Sequence, residues 1–284
     1  MLAQAAVKIK AFNSLLAKPF AGTAEKVRLQ GHDAQSAGNA ARFRASFARS
    51  RKEIAEAQRL RYRVFSEEYG ASFAGAPGID RDRFDKHCLH LLVRDTETGE
   101  LAGYTRILTD SQRHRSGGYY SEGEFQMGMV NSLKGRVAEL GRTCIHPDYR
   151  GGAVIAVMWS HVAEFMVRED VRYLIGCASV SLSEDHDVAG IIDRIRAQHL
   201  SSLSRRVAPR LTFPCDVQAG SDGPVRMPPL LKAYLRMGAT VCGEPCWDPD
   251  FNCLDFFVLL AREDLPARYV QHFLQPVQAL AAAS

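Results

Sequence analysis

Apolar and polar positions alternate along this chain with two different periods, and the switches between them mark its elements. From Ser50, Ile54, Ala57, Leu60, Val64 and Phe65 recur at helical spacing, and Gly70 ends the run. "CLHLLVRDTETGELAGYTRIL" gives two strand-like runs around Thr98-Gly99, which predicts a hairpin. Residues 109–135 are polar and irregular. "RVAELGRTCI" then reads as a strand, "GGAVIAVMWSHVAEFMV" as a helix and "RYLIGCASV" as a buried strand. Residues 185–204 suggest another helix, and 205–226, with its prolines and glycines, a loop. "PPLLKAYLRMG" is a short helix opened by proline and closed by glycine, and "ATVCGE" and "CLDFFVLLA" are closing strands. This order predicts a single α/β (α+β) domain over residues 50–265, with a mixed sheet covered by helices. Residues 1–49 are expected to be a basic, partly flexible arm and 266–284 a C-terminal tail.

Charge sharpens the division. Residues 1–52 hold ten Lys/Arg against Glu25 and Asp33, an excess of eight in a chain whose overall net charge is +4. The body is therefore acidic. In the arm, Val7, Ile9, Phe12, Leu15, Leu16 and Phe20 recur between lysines, so it is either an amphipathic helix for an anionic membrane or acidic protein, or a solvated arm. Nucleic acid is not expected, because no helix-turn-helix or zinc-finger pattern appears. The N-terminus lacks the continuous apolar core of a secretory signal, while its scarcity of acids leaves a transit peptide open. Seven cysteines without a C-x-x-C pair suit reduced thiols in a cytoplasmic protein, and no metal site is expected.

Four groups of residues could carry chemistry. Glu139 and Arg142 lie three apart on one predicted strand, and only a bulge near Gly141 would bring them together. Such a bulge would splay the strand and free backbone N–H groups; without it the two form an ordinary strand-surface ion pair. "HPDYRGGAV" puts Arg150, Gly151 and Gly152 at the start of a helix beginning near Ala153. That is either a plain strand–helix turn or an anion cradle. Tyr234 is either a general acid or a half-buried aromatic on a helix face. Asp80, Asp82 and Asp85, following Arg61 and Phe65, are a solvated charged loop, a receptor for an ammonium ligand or part of an arginine network.

Taken in order, these pieces resemble the Gcn5-related N-acyltransferase superfamily, whose fold has a mostly antiparallel sheet with a splayed central strand. Arg61, Phe65, Asp82, Asp85, Arg106, Glu139 and Arg142 are similar to the core motifs of acyl-homoserine-lactone synthases. Tyr69-Gly70-Ala71 stands where those enzymes carry a tryptophan. "QRLRYRVFSEEYGA", "FDKHCLHLLVRD", "ELGRTCIHPDYRGG", "PPLLKAYLRMGA" and "GEPCWDPDFNCLDFFVLL" resemble most closely the L-ornithine N(alpha)-acyltransferases of bacterial ornithine-lipid synthesis, over roughly residues 50–262.

That resemblance implies transfer of a 3-hydroxyacyl group from acyl carrier protein to the α-amine of L-ornithine, giving lyso-ornithine lipid. The donor would be the phosphopantetheine arm of the carrier protein, with no permanently bound cofactor. Glu139 would be the general base, Tyr234 the acid to the leaving thiol, and Arg142 an orienting group for Glu139 or the carrier phosphate. Arg150, Gly151, Gly152 and Ala153 would hold the phosphate; Arg61, Phe65, Asp82, Asp85 and Arg106 would frame the acceptor. The enzyme would be cytoplasmic, its arm resting on the inner face of the cytoplasmic membrane. The alternatives are an autoinducer synthase, an acyltransferase for another amino acid such as glutamine, an acetyl-coenzyme A enzyme, or a catalytically silent membrane-binding protein.

Overall fold

Ser50 starts the first helix as the spacing predicts. Its hydroxyl accepts from the Glu53 amide, and the Glu53 carboxylate accepts from the Ser50 amide. The structure is a computed structural model that describes residues 42–266 except 72, 74–75, 183–186 and 214–224. Strand β1 (Phe43–Phe47) precedes helix α1 (Arg51–Tyr69), the hairpin β2 (Leu89–Asp95) and β3 (Leu101–Thr109), and the short helix α2 (Asp110–Ser116). Next come β4 (Phe125–Gln126), β5 (Arg136–Ile145), α3 (Ala153–Arg168), β6 (Val171–Ser181) and α4 (Val188–Gln198). The chain closes with β7 (Ala208–Pro209), α5 (Pro229–Arg236), β8 (Thr240–Val241), β9 (Cys246–Asp248) and β10 (Cys253–Ala261).

The main sheet runs β1-β2-β3-β5-β6-β10-β8, with β9 also on β10, and β4 pairs β7 separately. Every pairing is antiparallel except β5 with β6. Helix α3 covers one face with Leu91, Val93 and Ile107, while α1 covers the other with Leu92 and Tyr104. Successive residues of β2 thus bury on opposite faces, which is why its sequence is a continuous apolar run. The sheet begins at Phe43, inside the segment expected to be an arm. Its short pattern, with two arginine neighbours, carries no core signature because it is an edge strand paired only to β2. The remainder of the expected arm and the tail from residue 267 lie outside the described residues.

The site is made by one irregularity. Strands β5 and β6 pair from Arg136 with Val171 as far as Glu139 with Ile175, and then their ladder stops. Strand β6 continues beside β10 to Ser181, while β5 stays with β3 to Ile145. On the β3 side two residues, Arg142 and Thr143, stand opposite Thr105 alone, a β-bulge. Arg142 takes a left-handed backbone there, with φ of 54°. At the point of divergence, a Cβ on Gly176 would lie 2.5 Å from the Leu140 carbonyl oxygen. Only glycine lets the two backbones come this close before they part. Gly176→Ala is expected to cost about 2 kcal/mol, seen as a lower melting temperature; an unchanged melt would show that the junction yields.

Candidate active site

Beyond Glu139 the parted strands open into a cavity of about 1270 Å³. Its wall includes Ser121, Gly141, Arg142 and Thr143 on one side and Cys177, Ser179 and Asp255 on the other. Phe65, Arg150 and Gly152 also line it, so the helix α1 motif and the β5–α3 turn meet at one opening.

Glu139 does not reach the cavity directly. It is buried, and its carboxylate accepts from the backbone N–H groups of Tyr120 (2.7 Å) and Ser121 (2.8 Å) and from Ser121 Oγ (2.6 Å). Burial pushes its pKa up, and the three donors only partly oppose this. Ser121 therefore separates the carboxylate from the cavity. Sequence reasoning missed it, because residues 119–124 lie in a polar stretch without period. The aromatic pair Tyr119-Tyr120, the first buried and the second half-buried beside it, was the one signal of order there.

Arg142 is not bonded to Glu139, so of the two orienting roles expected for it the one toward Glu139 is not seen, while it does line the cavity where a donor phosphate would enter. Its Nε donates to Asp80 Oδ2 at 3.1 Å, and its guanidinium stacks over Tyr120 and Phe251, 4.7 Å from each ring centroid. The bulge explains the change, since a left-handed residue turns its side chain out of the strand's alternation. Arg142 and Glu139 instead hold the same corner, residues 120–121, from two sides.

Asp82, Asp85, Arg61 and Arg106 are also placed differently from the expectation that they frame an acceptor. With Asp80 and Arg142 they close an alternating ring. Asp80 bridges Arg61 (2.8 Å) and Arg142 (3.1 Å). Asp82 bridges Arg142 (3.7 Å) and Arg106 (2.7 Å), and Asp85 bridges Arg106 (2.8 Å) and Arg61 (2.7 Å). Three cations and three anions so close to one another satisfy each other's charge. Gln58 Nε2 adds a bond to Asp85, and His90 Nε2 meets the Asp85 carbonyl. The ring ties α1, the loop before β2, β3 and the β5 bulge into one unit behind the cavity.

The phosphate cradle is present in part. Gly152 takes φ of 85° as the N-cap of α3, and no side chain caps that end. Its first N–H groups are thus left for another acceptor. Ala153 is buried as the first helical residue, and Gly151 is an exposed turn residue. Arg150, expected to face a phosphate, is ion-paired with Glu68 at the rim. Further cations of the cavity wall, Arg194, Arg226 and Lys232, come from α4, the approach to α5 and α5 itself. They are scattered over 39 residues of sequence, so no motif announced them.

Tyr234 is buried against Trp159, edge to face at 5.2 Å. Burial pushes its hydroxyl up to about 12, although an interaction with Thr143 of the cavity wall works against this. Its hydroxyl therefore stays protonated at neutral pH, and Tyr234 does not itself line the cavity but meets it through Thr143.

A second acidic group lies deeper. Asp248 and Asp255 line the cavity, and Asp248, Cys253 and Asp255 bring their side-chain ligand atoms within 4.8 Å of one another. Glu124 is close enough to feel the charges of Asp255 and Asp248, and the Cys177 thiol donates to its Oε2 at 2.9 Å. Burial and Glu124 hold the Cys177 thiol well above its ordinary pKa, so it is a hydrogen-bond donor rather than a nucleophile.

Residues 60–160 match the family model described as an acetyltransferase (GNAT) domain. An L-ornithine N(alpha)-acyltransferase of Brucella abortus (strain 2308) is 30% identical over 258 residues, covering 85% of this chain and 92% of that protein. One from Rhizobium meliloti (strain 1021) is 30% identical over 253 residues, covering 83% and 86%. Among solved structures, the AHL synthase LasI superposes with a TM-score of 0.50 at 14% identity, over 82% of this chain and 94% of that one, which speaks for the fold. With relatives of this identity aligned across nearly their whole length, and a sheet parted around a cavity, the chain belongs to the L-ornithine N(alpha)-acyltransferase family and is an acyltransferase.

Proposed function

We propose that this enzyme transfers a 3-hydroxyacyl group from the phosphopantetheine arm of acyl carrier protein to the α-amine of L-ornithine, forming lyso-ornithine lipid. The observation that carries the reading is the Ser121 hydroxyl, in the wall of the cavity and 2.6 Å from Glu139. The family relatives' names support ornithine as acceptor.

The α-amine must lose a proton as it attacks the thioester carbon. That proton passes to Ser121 Oγ as the Ser121 proton passes to Glu139, whose raised pKa makes it a better base near neutrality. The carbonyl oxygen becomes an oxyanion, and β5 N–H groups no longer paired to β6 are the candidate donors for it. The C–S bond then breaks, and the sulfur takes a proton from Tyr234. Tyr234→Phe is expected to lower kcat about tenfold or more with little change in KM; steady-state kinetics at saturating donor checks this, and an unchanged kcat removes Tyr234 from the reaction.

A carrier-borne donor presents one phosphodiester. Gly152, the open end of α3 and the cations Arg194, Arg226 and Lys232 suit one such anion. Ala153 and Ile155 stand where a nucleotide pyrophosphate would want bare backbone. Acyl carrier protein is acidic, so the same cations favour its approach. Among the described residues no helix is long and apolar enough to cross a membrane. We assign the enzyme to the cytoplasm, its basic N-terminal segment meeting the anionic inner leaflet where its product belongs. The decisive experiment compares acyl carrier protein with coenzyme A thioesters across a panel of amino acids. The expected result is turnover with the carrier-protein thioester and ornithine; a preference for acyl-coenzyme A overturns the donor assignment.

A further inference from the structure

Six charged groups behind the cavity neutralise one another, but three carboxylates in and beside it do not. Glu124 follows the turn that carries Ser121, Asp248 ends β9, and Asp255 lies in β10. Their hydrogen-bond partners are neutral. Ser179 Oγ donates to Asp255 Oδ1 at 2.6 Å, and the Cys253 thiol lies 3.8 Å from Oδ2. The amides of Asp250 and Phe251 donate to Asp248 Oδ1 at 2.9 and 3.1 Å. Cys177 Sγ donates to Glu124 Oε2, and Glu124 Oε1 is enclosed with no partner at all. The cation nearest in effect is Arg142, whose own ion pairs go to Asp80 and Asp82. Asp255 is 4% exposed. A carboxylate taken from water without a cation is costly, and a site that keeps Asp255 buried beside the half-buried Glu124 and Asp248 is built for a positive ligand.

We propose that Glu124, Asp248 and Asp255 form the receptor for the side-chain ammonium of a diamino-acid acceptor. The assignment rests on the proposed acyl transfer to an α-amine and adds what selects the amino acid. Position supports it. The Cys177 thiol that donates to Glu124 is also 3.2 Å from Ser121 Oγ. One thiol therefore separates the acidic group from the hydroxyl at which the α-amine loses its proton. An amino acid lying with its α-amine at Ser121 places its side chain among the carboxylates. An ammonium there supplies the missing positive charge and a donor for Glu124 Oε1. The neutral amide of glutamine or an alkyl chain supplies no charge. Burial, with repulsion from neighbouring carboxylates added, holds all three carboxyls above their ordinary pKa, Asp255 at about 6. A bound ammonium draws them down into the charged form.

The test uses the full-length enzyme with Asp255→Asn and, separately, Asp248→Asn, which sits half-buried in the wall and disturbs packing less. Each is assayed with ornithine and with norvaline, which keeps the carbon chain and lacks the terminal amine. The ornithine-to-norvaline ratio of kcat/KM is expected to fall about 100-fold, mostly through the KM for ornithine. A ratio within about threefold of the parent's overturns the proposal, whether or not both rates fall together. Calorimetric titration of ornithine into the free enzymes separates this from the acyl-transfer reading. If the parent binds ornithine and the variants lose it, the receptor stands even where no acyl transfer is found; equal binding overturns it. Turnover of both acceptors that is abolished by chelator would make the natural cation a metal, and would also overturn it.

Discussion

Replacing Glu139 with glutamine is expected to lower kcat by about 100-fold or more. The carboxylate accepts from three donors, two of them backbone N–H groups of the Tyr120–Ser121 corner. Glutamine offers one acceptor oxygen, and its NH2 would face a backbone N–H, donor against donor. The exchange therefore removes the proton acceptor and loosens the corner together. Ser121→Ala separates the two effects, since it leaves both amide bonds to Glu139 and removes only the hydroxyl facing the cavity. In the relay, that variant loses about tenfold or more in kcat while its melting temperature stays close to the parent's. An anchor without catalytic work would give the reverse, a lower melt with parent-like kcat. The pH profile is the second readout. Glu139 must be ionised to accept a proton, and burial raises its pKa above the ordinary carboxylate value. The acid limb of kcat/KM thus lies above that ordinary value in the parent and disappears in Glu139→Gln.

What could be read from the sequence was what local chemistry encodes. Ser50 and Glu53 form a capping box and Gly70 a left-handed stop, so α1 was legible to its ends. The bulge was legible as one of two readings, because Glu139 and Arg142 would face opposite sides of a regular strand and Gly141 lay between them. The ring was legible only as a list of members. Asp80, Asp82, Asp85 and Arg61 were visible as a charged cluster, but whether they face a substrate or each other depends on β3 and β5 bringing Arg106 and Arg142 to them. Ser121, Glu124, Asp248 and Asp255 were not legible as a site at all. They come from three separate elements, sit at no common spacing, and meet only because β6 leaves β5 and stays with β10. Strand β1 was hidden by its charge, as edge strands are.

Arg61→Met is expected to destabilise the fold by about 4 kcal/mol, because it takes one cation from a closed ring. Arg61 is fully buried and ion-paired to both Asp80 and Asp85. Without it, the buried Asp80 and Asp85 and the half-buried Asp82 share two guanidinium groups. The methionine fills the volume, so the loss reports charge rather than a cavity. In a domain of this size a drop of about 8 to 16 °C in melting temperature follows. The pH dependence fixes the cause. Burial, the largest influence on Asp82 and Asp85, would raise their pKa values; the guanidinium groups of Arg106 and Arg142 at Asp82, and of Arg61 and Arg106 at Asp85, overcome it and hold both carboxyls below the ordinary range. A depressed folded pKa gives stability that is complete above the unfolded value, about 3.9. It drains away as pH falls from there through the lower folded values. In Arg61→Met the stranded aspartate can regain a proton on acidification, which relieves the uncompensated charge. The gap in melting temperature between parent and variant is therefore widest at pH 7 and narrows toward pH 4. A gap of equal size at both would mean that lost packing, not the broken ring, sets the cost.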